Sequence, residues 1–255
     1  MKKHKRVLGI IPARYGSTRL EGKPLVDICG KPMIQRVYER VKQANIDVVV
    51  ATDDKRIFNA VKFFGGNVVM TSKEHKTGTN RCLEAFNLIT DKCDNFYDVV
   101  INVQGDEPLL ATEQIHELLS CFNDPYTEMA TLIMPVKNKD DLNNGVFVVK
   151  DKTDNALYFS RSVIPFVRDV EKENWTNNQV FYKHVGMYGF KPKALKEFAN
   201  LNETNLEKSE KLEQLRWLEN GKKIKLAKTK YNSVAVDTLE DVQKVIEIIS
   251  KSQQN

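Results

Sequence analysis

Along the first half of the chain, short apolar runs rich in branched residues alternate with segments whose apolar positions recur at helical spacing. Val7-Leu8-Gly9-Ile10-Ile11 has the length and composition of a buried strand. Pro32 opens a segment with Met33, Ile34, Val37, Tyr38 and Val41 on one helical face. The rhythm repeats with a strand at Asp47–Ala51, a helix from about Asp54 to Phe64 stopped by Gly65-Gly66, and a strand at Asn67–Met70. A helix near Thr79–Ile89 and a strand at Val99–Val103 follow. Strands that are apolar at consecutive positions need cover on both faces. Repeated strand–helix units of this kind predict an α/β fold with a mostly parallel central sheet.

Beyond Gln104 the rhythm loosens. The pattern predicts a helix near Thr112–Phe122, a strand at Ala130–Val136, and strand-like pieces at Val146–Lys150 and Val185–Phe190. Between 222 and 230, lysines alternate with Ile224 and Leu226 as on a half-exposed strand. The polar stretch Asp169–Asn178 reads as an exposed loop, and helices at Ser209–Asn220 and Thr238–Ser250 close the pattern. No stretch has the composition of a linker, so residues 1–255 read as a single domain in which about 130–215 is a smaller, mixed part.

Composition narrows the function classes. The chain has 255 residues, is 41% hydrophobic, and sets 39 Lys+Arg against 34 Asp+Glu, a net charge of +5. That supports a folded core, and the positive surplus is scattered without a basic, aromatic-interleaved stripe, so no nucleic-acid partner is expected. No apolar run approaches the ~20 residues of a membrane span. The basic start Lys2–Arg6 lacks a signal-peptide core behind it, and the expectation is a cytoplasmic protein. Cys29, Cys82, Cys93 and Cys121 form no C-x-x-C pair, which points to reduced thiols and no zinc site.

In open α/β sheets, ligands sit outside the carboxyl ends of the strands. After the first strand, the loop Pro12–Leu25 carries Arg14, Arg19 and Lys23 among small residues, a pattern suited to a polyphosphate or, alternatively, to a solvated basic loop. Pro24 stands where a Walker A loop has Ser or Thr, and there is no G-x-G-x-x-G. Directly after the strand at 99–103, Gln104-Gly105-Asp106-Glu107-Pro108 places a carboxylate that could either hold Mg²⁺ or make an Asp-containing turn. Asp237 stands at another strand end, where either it or Thr238 would cap the last helix. Thr79 reads as the cap of its helix, unless the Gly78 turn and Arg81 face a nucleotide. His184 alternates with apolar residues, as a buried imidazole does. Ser17, Ser160 and Ser162 lie in no nucleophile elbow.

Taken in order, these segments form a specific set: I-P-A-R-Y-G-S-T-R-L-E-G-K-P-L (11–25), A-T-D-D (51–54), H-K-T-G-T-N-R (75–81), N-V-Q-G-D-E-P (102–108), A-L-Y-F-S-R (156–161), H-V-G-M-Y-G-F (184–190), L-E-Q-L-R (212–216) and V-D-T-L-E-D (236–241). From about Val7 to Ile249 the chain closely resembles the 3-deoxy-manno-octulosonate (Kdo) cytidylyltransferases. The resemblance implies a Rossmann-like nucleotide-diphospho-sugar transferase fold with a smaller dimerisation and sugar-binding part, assembled as a homodimer. It implies the reaction of CTP with Kdo to give CMP-Kdo and pyrophosphate for lipopolysaccharide biosynthesis, with Mg²⁺ as cofactor. Carried over by position, Arg14, Lys23 and Asp106 would be catalytic, and Asp106 and Asp237 would hold the metal. Pro12, Ala13, Arg14, Lys23, Thr77, Gly78, Thr79 and Arg81 would bind the nucleotide; Gln104, Arg161, His184, Tyr188, Glu213 and Gln214 would bind the sugar acid.

Two departures stand out. The family's first loop usually reads R-L-P-G-K-P, where this chain has Glu21, and its second loop reads S-G-T-acid-R, where this chain has Thr77 and Asn80. Alternatives that the sequence leaves open are 8-amino-8-deoxy-Kdo as substrate, an acylneuraminate cytidylyltransferase, and a nucleotide-binding regulatory protein without turnover.

Overall fold

The computed structural model describes residues 5–16, 19–91, 96–232 and 234–253; Ser17, Thr18 and Cys93 lie outside them. In chain order the elements begin with β1 (Val7–Ala13), β2 (Asp27–Ile28), β3 (Lys31–Pro32), α1 (Met33–Lys42), β4 (Asp47–Thr52), α2 (Lys55–Phe63) and β5 (Val68–Met70). Then come α3 (Gly78–Thr90), β6 (Val99–Asn102), α4 (Thr112–Ser120), β7 (Met129–Pro135), β8 (Phe147–Lys150), β9 (Ala156–Ser160) and α5 (Trp175–Asn178). The last are β10 (Tyr182–Phe190), α6 (Pro192–Asn200), α7 (Asn205–Glu210), α8 (Leu215–Glu219), β11 (Ile224–Lys228) and α9 (Leu239–Gln253). They divide into two compact units, residues 1–115 with 232–255, and residues 116–231. The mixed part expected at about 130–215 lies inside the second.

In the first unit the strand order β6-β1-β4-β5 is wholly parallel. Its strands are apolar at successive positions because both faces are covered: Ile10, Ile11, Val50 and Ile101 are fully buried. Each such side chain contributes about 1.5–3 kcal/mol by leaving water. Helix α1 buries Met33, Ile34, Val37, Tyr38 and Val41, the face its periodicity predicts. A separate cluster joins Ile28 and Met33 to Val236, Val242, Val245 and Ile249, so the final helix is bound into this unit.

In the second unit β7 pairs in parallel with β11 and antiparallel with β10, which also pairs with β8; β8 and β9 form a hairpin. A bulge in β10 between Val185 and Tyr188 shifts its register on β7. Two expectations need correction here, and one helix has no counterpart in the sequence pattern. The helix expected over Ser209–Asn220 is two, because Lys211 adopts the left-handed conformation (φ 53°) and ends α7. The loop expected over Asp169–Asn178 contains a helical turn anchored by Trp175, buried and stacked on Phe181 at 5.9 Å. Helix α6, whose buried face is only Ala194, Leu195 and Phe198, was not expected at all.

Candidate active site

The carboxyl ends of β1 and β6, the start of α3 and the segment before α9 line a cleft of about 340 Å³ in the first unit. Its walls include Pro12, Ala13, Arg14, Arg19, Lys23, Thr77, Gly78, Arg81, Gln104, Asp106 and Asp237. A volume of this order suits a small-molecule ligand.

The first loop takes its shape from Gly22, which sits at φ +67° and where a β-carbon would stand only 3.1 Å from the Tyr15 ring. Its N–H donates to the Tyr15 carbonyl, and a short 3₁₀ turn at Lys23–Leu25 follows. That turn aims the Lys23 ammonium at two carboxylates far apart in sequence, 2.7 Å from Asp106 Oδ2 and 3.1 Å from Asp237 Oδ1. Arg19 takes the other oxygen, Asp237 Oδ2, at 3.1 Å. Arg14 is exposed at the cleft and has no carboxylate partner among the described residues.

The turn that carries Asp106 lies against the end of β1 at Gly105. A β-carbon on Gly105 would stand 2.9 Å from the Pro12 carbonyl oxygen, so only glycine lets the 104–107 turn lie this close. The Asp106 carbonyl accepts the Val236 N–H at 2.8 Å, which ties the second aspartate's segment to the first. The capping question at the last helix also resolves. Thr238 Oγ1 accepts from Asp241 N–H while Asp241 Oδ2 accepts from the Thr238 and Asp237 N–H groups. Those donors hold the Asp241 carboxyl below the usual carboxylate range. Asp237 therefore carries no capping duty, and its side chain is left to the cleft.

On the opposite wall, Thr77, not Thr79, caps α3: its hydroxyl oxygen accepts from the Asn80 N–H at 3.2 Å and its proton goes to Asn80 Oδ1 at 2.6 Å. Thr79 is buried. The amide at 80 can thus accept from the cap hydroxyl as a carboxylate would, without the charge. Arg81 reaches the cleft wall, but its guanidinium is buried and committed, to Asp53 Oδ2 at 2.7 Å and Thr71 Oγ1 at 2.6 Å. A-T-D-D accordingly splits its acids: Asp53 locks Arg81, while Asp54 caps α2, its carboxyl lowered to about 2 chiefly by the Arg56 side chain. His75 and Lys76 also line the cleft, and His75 Nε2 pairs with Glu84 Oε2.

Of the six residues matched to a sugar-acid pocket, Gln104 lines this cleft and the other five belong to the second unit. There His184 Nε2 meets Thr131 Oγ1 at 2.9 Å, with the ring 5.2 Å from Phe159 and 5.3 Å from Tyr188. Burial pushes the imidazole down to about 4, so it is neutral at pH 7. The Tyr188 hydroxyl donates to Gln214 Oε1 at 2.9 Å, and burial followed by the Glu213 charge raises its pKa well above the ordinary tyrosine range. Gln214 Nε2 is buried with no partner among the described residues. Arg161 points elsewhere, donating from Nε to the Glu210 carbonyl at 2.7 Å and from Nη2 to that of Lys211 at 3.3 Å.

Sequence reasoning gave no role to Asp53, His75 or Lys76, although all three lie within the quoted motifs. Among the described residues Asp237 follows an irregular segment before α9 and not the strand end expected of it, while Asp106 follows β6. A parallel sheet with a cation-lined cleft on which these two carboxylates converge fits the nucleotidyltransferase class. A family model described as "Cytidylyltransferase" matches residues 8–224. The chain belongs to the 3-deoxy-manno-octulosonate cytidylyltransferase family. It is 49% identical to the enzyme of that name from Parabacteroides distasonis over 96% of this chain and 98% of the relative. It is 50% identical to the one from Phocaeicola vulgatus over 93% of this chain and 94% of the relative. The solved structure of a CMP:2-keto-3-deoxy-manno-octonic acid synthetase complexed with CTP superposes with a TM-score of 0.87 at 38% identity, covering 97% of this chain and 99% of that one.

Proposed function

We propose that this cytidylyltransferase activates Kdo, joining CMP from CTP to the sugar acid and releasing pyrophosphate, as a cytoplasmic homodimer that serves lipopolysaccharide biosynthesis. The observation that carries the reading is the convergence of Asp106 and Asp237 on one cation, the Lys23 ammonium. Two hard carboxylate oxygens sharing a point charge are a donor set suited to Mg²⁺, which takes one or two carboxylates and fills its sphere with waters and phosphate oxygens. When bound, Mg²⁺ would screen phosphate charge and acidify a hydroxyl.

The remaining work falls to the chain's own groups. The anomeric hydroxyl of the sugar attacks the α-phosphorus and pyrophosphate leaves, so the protein must align two anions and oppose their repulsion. Arg14, Arg19, Lys23 and Lys76 surround the cleft with cations, and the first turn of α3 offers backbone N–H groups. Arg81, fixed by Asp53 and Thr71, holds the α3 entrance in place. In the second unit, neutral His184, Tyr188 and Gln214 are proposed to take the sugar's hydroxyls by hydrogen bonding. Among the described residues no helix is long and apolar enough to cross a membrane.

A pyrophosphate-release assay with CTP and Mg²⁺ tests the reading across Kdo, 8-amino-8-deoxy-Kdo and N-acetylneuraminate. Release with Kdo is expected. Release with the amino sugar alone or with neuraminate alone would replace the substrate, and none with any sugar acid would leave a nucleotide-binding protein without turnover.

A further inference from the structure

The Lys23 ammonium stands where a divalent ion shared by Asp106 and Asp237 would have to stand. It uses Asp106 Oδ2 at 2.7 Å and Asp237 Oδ1 at 3.1 Å. The Lys23 side chain is only 16% exposed, so its charge is largely withdrawn from water and compensated by these two carboxylates. Arg19, at 67% exposed, holds the Asp237 oxygen that Lys23 does not use and so does not compete for the shared point. Mg²⁺ requires its oxygens at about 2.0–2.1 Å in a near-octahedral array, and an ammonium hydrogen-bonded to the same pair excludes it. The two cations are alternatives.

We propose that Lys23 is the built-in occupant of the metal position, and that it leaves only when a triphosphate offers its ammonium a better anionic partner, so that nucleotide and divalent ion bind with positive coupling through this side chain. The inference rests on the metal reading given above. Without nucleotide, Lys23 neutralises two facing carboxylates and keeps them in position. With phosphate oxygens in the cleft, the ammonium exchanges one pair of oxygens for another, and the two carboxylate oxygens it leaves, with only Arg19 still on Asp237, favour a divalent ion. Linkage makes the effect reciprocal: an ion on the aspartates frees Lys23 for the phosphates and tightens the nucleotide by the same factor.

The test uses the full chain and Mn²⁺ as a paramagnetic probe, with bound and free ion separated by electron paramagnetic resonance. In the absence of nucleotide, Lys23→Met is expected to bind Mn²⁺ at least about tenfold more tightly than wild type, with a matching rise in the Mn²⁺-induced melting shift. Adding Asp106→Asn should abolish the gain. Lys23→Gln, which keeps hydrogen-bonding capacity without charge, should behave like Lys23→Met and serves if the methionine variant does not fold. If wild type binds Mn²⁺ in an Asp106-dependent way and neither Lys23 variant binds it more tightly, the occupant role is overturned while the metal reading stands. If no form binds Mn²⁺ in an Asp106-dependent way, with or without CTP, both fall together.

Discussion

The cleft of the first unit and the partly buried polar cluster of the second solve the same problem, holding polar groups in fixed positions, by opposite means. In the cleft, groups keep their charge and are paired with opposite charge: Lys23 with two aspartates, Arg19 with one, Arg81 with Asp53. In the cluster the groups are uncharged: burial keeps His184 neutral on Thr131, and Tyr188, neutral as any phenol at pH 7 and further from ionising, donates to Gln214. Ion pairs can be exchanged for other ions, which is what a phosphate-handling site requires. Neutral hydrogen bonds in a desolvated setting discriminate by donor and acceptor position, since an unpaired group there is costly. The chain thus separates a region fit for charge rearrangement from one fit for recognition.

Four experiments bear on that contrast, the most damaging first. Asp106→Asn or Asp237→Asn should lower turnover by roughly 10³-fold or more, the equivalent of several kcal/mol of lost charge stabilisation, while circular dichroism stays unchanged. Wild-type turnover in both would detach the aspartates from the chemistry. Lys23→Ala should cost about 2.7–4 kcal/mol in kcat, by analogy with loss of one charge-stabilising donor. A rise in KM for CTP at unaltered kcat would show that Lys23 binds ground and transition states equally.

The cluster is tested by pH. The His184 pKa in the folded protein, about 4, lies below its unfolded value of 6.5. Between those values the unfolded chain holds the extra proton, so stability is complete above about pH 6.5 and falls as pH drops towards 4. The slope from this residue is at most about 1.4 kcal/mol per pH unit. Denaturant titrations at pH 7 and 4.5 should show a smaller loss in His184→Gln than in wild type; equal losses would mean the imidazole is not held neutral. Finally, Thr238→Ala removes the α9 cap and should cost about 1 kcal/mol of stability, read by thermal denaturation, with turnover nearly intact. A collapse of turnover would show that Asp237 depends on that cap for its aim.

The parallel half of the fold was legible because its strands are continuously apolar and its helices carry a single buried stripe. The mixed half was not. Its strand β9 leaves Leu157 exposed, α6 buries only three side chains, and the break between α7 and α8 depends on a lysine in the left-handed region, a conformation that composition does not announce. At the site, motif order located the loops and both aspartates. What linear reading could not supply was partnership: that Arg81 is spent on Asp53, that Thr77 and not Thr79 caps α3, and that Lys23 reaches both carboxylates. Those facts depend on contacts spanning up to 214 positions, for which no local pattern exists.

The first unit is assembled from two separate stretches, with residues 116–231 intervening before the chain returns to it. During synthesis, therefore, the basic loop and Asp106 emerge long before Asp237, and a nascent polypeptide on the ribosome has only half of the acidic pair. If Asp106 and Asp237 hold the metal as proposed, chemistry on a nucleotide would wait until the closing segment docks. On that proposal an unfinished copy is an idle one, and fragments ending ahead of that docking step are expected to leave CTP unspent however well their sheet has formed.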